Sequence, residues 1–291
     1  VKESRAEGGR VEGGRVEGSR AEGGRVEGGR VERSRAEGSR VNTLAETSLL
    51  AGRNLRRFLR SPQLIADSVM FPLILLFVML LVFGELVGEV TRGAYIDRLA
   101  PVIVLFSAAY GAVGTGVGFF TDLRGGIVDR FRAMDIGRLS VLTGRVAGDL
   151  VRVLLVAAVT TAVAHLAGFR FTQGPQAVAG FFAVVLLFAW IFLWPALVAA
   201  MSASSEQAVS GALNTPVTLL LFLSSGFVPA EQFPGWLQPV VRANPLSLAG
   251  DALVGLSQGG PVAVPVLFTF AWAVAATAIF VPLAVRLYRR R

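Results

Sequence analysis

The sequence predicts an all-α integral membrane protein with six transmembrane helices and an external re-entrant helical segment between the fifth and the sixth. Three observations carry this. Hydrophobic residues make up 53% of the 291 residues and charged residues only 16%, where a soluble domain carries about 25% charge. Six apolar runs are long enough to cross ~30 Å of hydrocarbon at about 1.5 Å per residue. A further apolar stretch is broken by prolines and too short to span. The chain divides into a low-complexity repeat tail, 1–42, an amphipathic cytoplasmic surface helix, 43–62, and a six-span domain, 63–291.

The tail repeats a five-residue unit between residues 5 and 41: RAEGG, RVEGG, RVEGS and variants. Its glycines and alternating charges cannot bury a core, so disorder is expected. Net charge is +8, but the tail holds ten Lys/Arg against eight Glu. The remaining excess flanks apolar runs, where charge fixes membrane orientation rather than binding nucleic acid. In the surface helix, Leu44, Ala51, Leu55, Phe58 and Leu59 share one face at 100° per residue. Arg53, Arg56, Arg57 and Arg60 fall opposite, and Pro62 ends the segment. It reads either as a membrane anchor with snorkelling arginines or as a helix that also touches a cytoplasmic partner.

The spans are expected near 64–83, 102–120, 148–168, 177–201, 208–228 and 262–285. The first holds fourteen Leu, Ile, Phe and Val residues. At roughly −0.3 to −0.6 kcal/mol each, these outweigh the ~3 kcal/mol that Asp67 costs at mid-membrane. That run is too long for a signal h-region and lacks a small-residue cleavage site, so no secretory signal is expected. Thirteen arginines gather beside the spans on one side and four, Arg92, Arg98, Arg170 and Arg242, on the other. The arginine-rich side, with both termini, is expected in the cytoplasm.

Two connections stand apart. The cytoplasmic loop 121–147 contains IVDRFRAMDI, with Ile127, Phe131 and Met134 on one face and Asp129, Arg130 and Arg132 elsewhere. It reads as an interfacial helix or as a docking helix for a cytosolic subunit. The external connection 229–261 is apolar but interrupted by Pro229, Pro234, Pro239 and Pro245. Its LSLAGDALVGL stretch is too short to span, which suits re-entrant structure buried by protein. Trp236 suits the aromatic belt. In the second span, GAVGTGVG places Gly114 and Gly118 four residues apart. Such glycines let helices approach closely, within one chain or across a dimer seam.

Several chemistries are excluded. With no cysteine there are no disulfides, thiolate metal sites or thiol catalysis. One histidine, His165, excludes multi-histidine metal sites. The one lysine, Lys2, lies in the tail, so no phosphate-binding loop can form. Ser224 and Ser225 precede Gly226, but no G-x-S-x-G occurs, so no catalytic residue is assigned. A secondary transporter or channel is the alternative. It normally needs ionisable groups deep in the membrane, and the last three spans have none inside. Asp149 and Arg152, spaced i, i+3 near the inner end of the third span, are expected to pair with each other or with Arg145.

Three segments together resemble ABC type-2 exporter permeases, especially the daunorubicin-resistance subgroup. FVPAEQFPGWLQPVVRANPLSLAGDALVGL resembles their external re-entrant region, DLRGGIVDRFRAMDIGRLSVLTGR their cytoplasmic loop, and RFLRSPQLIADSVMFPLILLFVMLLVFG their approach to the first span. The likeness covers residues 53–288. Asp135 replaces a usual proline, and Val254 stands where an arginine often follows the Asn-Pro motif. The resemblance implies a permease subunit of the bacterial inner membrane, working as a homodimer or with a related permease. It would export an amphiphilic drug, polyketide or lipid, with ATP and magnesium held by a separate ATPase subunit. It implies an ATPase-coupling surface of Asp122, Arg124, Asp129, Arg130, Phe131 and Arg132, with Arg56 and Arg57 on the surface helix. It also implies a re-entrant region marked by Glu231, Pro234, Trp236, Asn244, Pro245 and Asp251.

Overall fold

The computed structural model describes residues 62–91, 95–126, 138–226 and 228–290, with Gly52 and Arg60. The expected tail, the surface helix with Arg56 and Arg57, and the loop residues Asp129, Arg130, Phe131 and Arg132 lie outside the described residues. Among the described residues these α-helices follow one another: α1 Pro62–Thr91, α2 Tyr95–Arg124, α3 Arg138–Leu166, α4 Pro175–Ser202, α5 Glu206–Phe222, α6 Gln238–Ala243, α7 Pro245–Gln258 and α8 Ala263–Arg290. A 3₁₀ turn, Ala230–Gln232, lies between α5 and α6. There is no strand among the described residues.

Among the described residues, four stretches are long and apolar enough to cross a membrane: Tyr95–Arg124, Val141–Leu166, Pro175–Ser202 and Ala263–Arg289. In α1 the described apolar stretch is the shorter Ser68–Val82. The expected fifth span, 208–228, differs most. Its helix α5 has 17 residues and stops at Phe222, because side chains from the following connection take over the carbonyls at its end.

The bundle is built around α2, which packs against α1, α3, α4, α5 and α7. Small residues make this possible. A Cβ on Gly116 would stand 2.8 Å from Leu213 Cδ1 and 3.1 Å from the Ala196 carbonyl oxygen. Gly116 is therefore the glycine that lets α4 and α5 close on α2, whereas the sequence pattern drew attention to Gly114 and Gly118. The core beside α2 holds Leu99, Ile103 and Leu105 with Phe181, Phe188, Leu193, Trp194 and Leu197 of α4. At one end, Phe169, Phe171, Phe181 and Phe182 meet edge to face, with centroids 5.0 to 5.5 Å apart along the chain of contacts. By contrast, α1 and α8 turn Phe71, Ile74, Phe77, Leu81, Leu267, Phe268 and Ile279 outward. Outward apolar rows on membrane-length helices match an acyl-chain solvent.

Five helices carry an internal proline: Pro72, Pro101, Pro195, Pro216 and Pro282. Each removes one helical N–H, which membrane helices tolerate when neighbours re-satisfy the freed carbonyl.

Candidate functional site

The polar groups of the bundle collect at two ends of α2. At the C-terminal end, α2 and α3 run antiparallel with a definite register. Gly111 lies opposite Arg152 and Gly118 opposite Arg145, seven residues apart on each helix. The bare glycine face makes room for two guanidinium groups. A Cβ on Gly118 would stand 2.7 Å from Arg145 Nη2, and one on Gly114 would stand 3.4 Å from Arg152 Nη1. These glycines therefore serve arginine side chains within one chain.

The two arginines join a four-charge chain. Arg145 Nη1 donates to Asp122 Oδ2 at 2.7 Å and Arg145 Nε to Asp149 Oδ2 at 3.0 Å. The other Asp149 oxygen lies 3.2 Å from Arg152 Nε. Arg152 Nη2 then donates to the Gly111 carbonyl at 2.6 Å and to Thr115 Oγ1 at 2.8 Å. Arg145 Nη2 reaches the Thr115 carbonyl at 3.3 Å. The arginine side chains are 12% and 13% exposed, and their carboxylate partners less. Two positive and two negative charges alternate, so the buried chain is neutral. Removing one member would leave an uncompensated buried charge, which costs about 3–5 kcal/mol.

Asp122, expected on an ATPase-facing surface, turns its side chain into the bundle, where Arg145 holds it. Arg124, two residues further on, is exposed. Its guanidinium lies 5.3 Å from the Phe120 ring centroid and donates to the Ser204 carbonyl at 2.9 Å. Thr121 Oγ1 donates to Glu206 Oε1 at 3.1 Å. Together these tie the end of α2 to the turn between α4 and α5. The expected pairing of Asp149 with Arg152 and Arg145 is present. Both arginines also reach across to α2, a contact that leaves no trace in local sequence pattern.

At the opposite end, the connection after α5 packs inward through Asn244. Its Nδ2 donates to the Leu220 carbonyl at 2.7 Å and the Leu223 carbonyl at 2.8 Å. Its Oδ1 accepts from the Leu246 N–H at 2.8 Å, capping α7, and Pro245 fills the first helical position. One buried amide thus ends one helix and starts another. Ser247 Oγ accepts from Ser225 N–H at 2.9 Å. Ser224 Oγ donates to the Leu221 carbonyl at 2.7 Å. Both serines close the end of α5. Gly226 is confined: a Cβ there would lie 2.4 Å from Val102 Cγ2.

The 14-residue α7 buries Leu246, Ala249, Ala252 and Leu253 among its neighbours. Its far end is tied to the α3–α4 connection, where the Ser257 carbonyl accepts from Thr172 N–H at 2.9 Å and Gln258 Nε2 donates to the Arg170 carbonyl at 2.7 Å. Trp272 Nε1 of α8 donates to the Ala243 carbonyl at 3.1 Å. The outer charges are looser. Arg98 lies 3.8 Å from Asp251, and Arg242 donates to exposed Glu231 at 3.2 Å. Partial burial raises the Asp251 carboxyl above its ordinary range, against the pull of Arg98. The Glu231 carboxyl is lowered, chiefly by its own backbone N–H and then by Arg242. Trp236 and Pro234 are exposed, and the Pro234 carbonyl accepts the Leu237 and Gln238 N–H groups. No group of three or more His, Cys, Asp or Glu that could hold a metal occurs among the described residues.

A bundle of membrane-length helices, with one polar end tied by ion pairs and the other packed with two short helices, defines a multi-pass membrane protein. The ABC-2 type transporter family model matches residues 45–257. The chain belongs to that family. It is 31% identical over 239 residues to the daunorubicin resistance ABC transporter permease protein DrrB1 of Streptomyces coeruleorubidus, covering 82% of this chain and 84% of that one. It is 27% identical over 248 residues to the probable doxorubicin resistance ABC transporter permease protein DrrC of Mycobacterium tuberculosis, covering 85% and 89%. The doxorubicin resistance permease DrrB of the same organism is 26% identical over 197 residues, covering 64% and 68%.

Proposed function

We propose that this chain is the membrane-spanning subunit of an ATP-driven exporter that moves an amphiphilic drug, polyketide or lipid outward. The observation that carries this is its likeness, over most of its length, to permeases named for daunorubicin and doxorubicin resistance. The sequence supports a division of labour. Its one lysine is Lys2, outside any Gly-rich phosphate loop, so ATP and magnesium belong to a separate cytosolic ATPase. Two copies of the permease, or one with a related permease, would enclose the substrate path in the bacterial inner membrane.

In this reading α1 and α5 complete a set of six spans, and α6 and α7 form a re-entrant plug on the outer side. Both termini face the cytoplasm, as the arginine distribution favours. Residues 63–291 make up the permease domain. The loop between α2 and α3 docks on the ATPase through Asp129, Arg130, Phe131 and Arg132, joined by exposed Arg124 and by Arg56 and Arg57 of the preceding segment. One observation favours a second reading, an ion-coupled secondary transporter: charges lie within α3, Arg152 about halfway along it. Their mutual neutralisation weighs against it.

The test is co-purification of the cognate ATPase with tagged permease, together with transport in vesicles. Arg130→Glu or Asp129→Arg should lower ATPase recovery about tenfold or more, since reversing a desolvated charge costs roughly 2–5 kcal/mol. Arg20→Glu in the tail should change nothing. ATP binding by the permease alone, or transport driven by a proton gradient without ATP, would refute the exporter reading.

A further inference from the structure

The chain Asp122–Arg145–Asp149–Arg152 sits where the two roots of the cytoplasmic loop meet. Asp122 is two residues from the end of α2, and Arg145 lies seven residues past the start of α3. Between them in sequence runs the segment assigned above to the ATPase. The contacts are cross-helix and use separate edges of each guanidinium. Arg145 spends one nitrogen on Asp122, one on Asp149 and one on the Thr115 carbonyl. Arg152 adds two further bonds to α2, one turn of helix apart, at Gly111 and Thr115. A planar fork bonded on several edges fixes orientation as well as distance. The bare glycines beneath let the guanidinium groups approach the α2 backbone, and the Thr115 side chain of α2 is bonded to Arg152. Sliding or splaying of α2 against α3 would break charge-assisted bonds in a low-dielectric setting.

We infer that Asp122 and Arg145 are positioning residues that brace the inner ends of α2 and α3 into one strut, so that force received by the loop between them moves the central helix α2 instead of bending the loop alone. The inference rests on the exporter reading and deepens it. Since α2 touches α1, α4, α5 and α7 as well as α3, a push on the strut reaches much of the bundle. Asp122 thereby acts in coupling without touching the ATPase.

The test uses the full-length permease with its ATPase in vesicles. The double variant Asp122→Asn with Arg145→Gln removes one charge of each sign and leaves Asp149 paired with Arg152, so no lone charge is buried. The expected result is transport lowered about tenfold, near the upper range for mutations that disturb coupling. ATPase recovery and ATP hydrolysis should stay within about twofold of the wild type. The absence of native cysteine permits a second arm. Asp122→Cys with Arg145→Cys should be uncoupled when reduced, and a thiol-reactive crosslinker of matching length should restore transport at least threefold, a gain on the order of 0.7 kcal/mol. The strut is refuted if the neutral double variant transports like the wild type, if ATPase recovery falls in step with transport, or if the crosslinker abolishes the remaining transport. A wild-type complex that shows no ATP-dependent transport refutes the exporter reading itself, and the strut with it.

Discussion

Replacing Asn244 by alanine should be among the most damaging single changes outside the apolar core. The side chain is buried and makes three hydrogen bonds, to the Leu220 and Leu223 carbonyls and from the Leu246 N–H. Loss of a helix N-cap costs about 0.5–2 kcal/mol. Each of the two carbonyls loses a buried donor, at about 1–1.5 kcal/mol. The expected total is about 3–5 kcal/mol, or roughly two to three and a half decades in the folding equilibrium constant at about 1.4 kcal/mol per decade. Asn244→Ser should keep the cap alone and recover about 1 kcal/mol of that loss. Asn244→Asp should be no better than alanine, because its carboxylate would face two carbonyl oxygens with no proton to donate. Unfolding in mixed micelles, titrated with denaturing detergent and followed by tryptophan fluorescence, measures each difference. An alanine variant within about 0.5 kcal/mol of the wild type, inside the range of ordinary surface substitutions, would refute this reasoning. So would an aspartate variant as stable as the parent.

Three further outcomes are expected. Gly226→Ala should destabilise by about 1–3 kcal/mol through overpacking against Val102, and Val102→Ala in the same chain should recover much of it in the same titration. For Asp251, a carboxyl raised by burial contributes stability that is full below its unfolded pKa of about 4 and is lost as pH rises through the folded value. The wild type should therefore lose stability across that window, and Asp251→Asn should flatten the curve; an unchanged pH profile contradicts the assignment. Deleting residues 1–42 should leave transport at equal membrane abundance within about twofold, a barrier change below ~0.5 kcal/mol, and a larger loss would reveal a role for the tail.

The long helices were legible because their signal is length and apolarity, which a membrane enforces along the whole segment. The start of α3 was not. Charged residues at 145, 149 and 152 read as the edge of the bilayer, so the span was set at 148, while the helix begins at Arg138. The charges neutralise one another inside the bundle, and a pairing between helices leaves no trace in local pattern. Gly116 was passed over for a related reason. The spacing of Gly114 and Gly118 is a motif, but which face of α2 meets α4 depends on residues such as Ala196 and Leu213, 80 or more positions downstream in sequence. At the other end, the short length and proline breaks of 229–261 announced that it could not span. That Asn244 would terminate α5 was hidden, because its partners are backbone carbonyls that carry no sequence signature.

The buried charge chain also sets an order for biogenesis. Asp122 leaves the ribosome 23 residues ahead of Arg145, about 1–5 s at ordinary synthesis rates. During that interval α2 has neither its counter-charge nor the helices that will cover Gly116. A helix carrying an unmatched carboxylate and a small-residue face is a poor candidate for release into lipid by itself. Insertion of α2 together with α3 would let Arg145 close the ion pair within the same unit. A ribosome pause or rare-codon cluster within the 23-residue interval would lengthen the exposure of that half-made hairpin. Quality-control proteases of the membrane would meet it there, before the α4 and α5 surfaces had been synthesised.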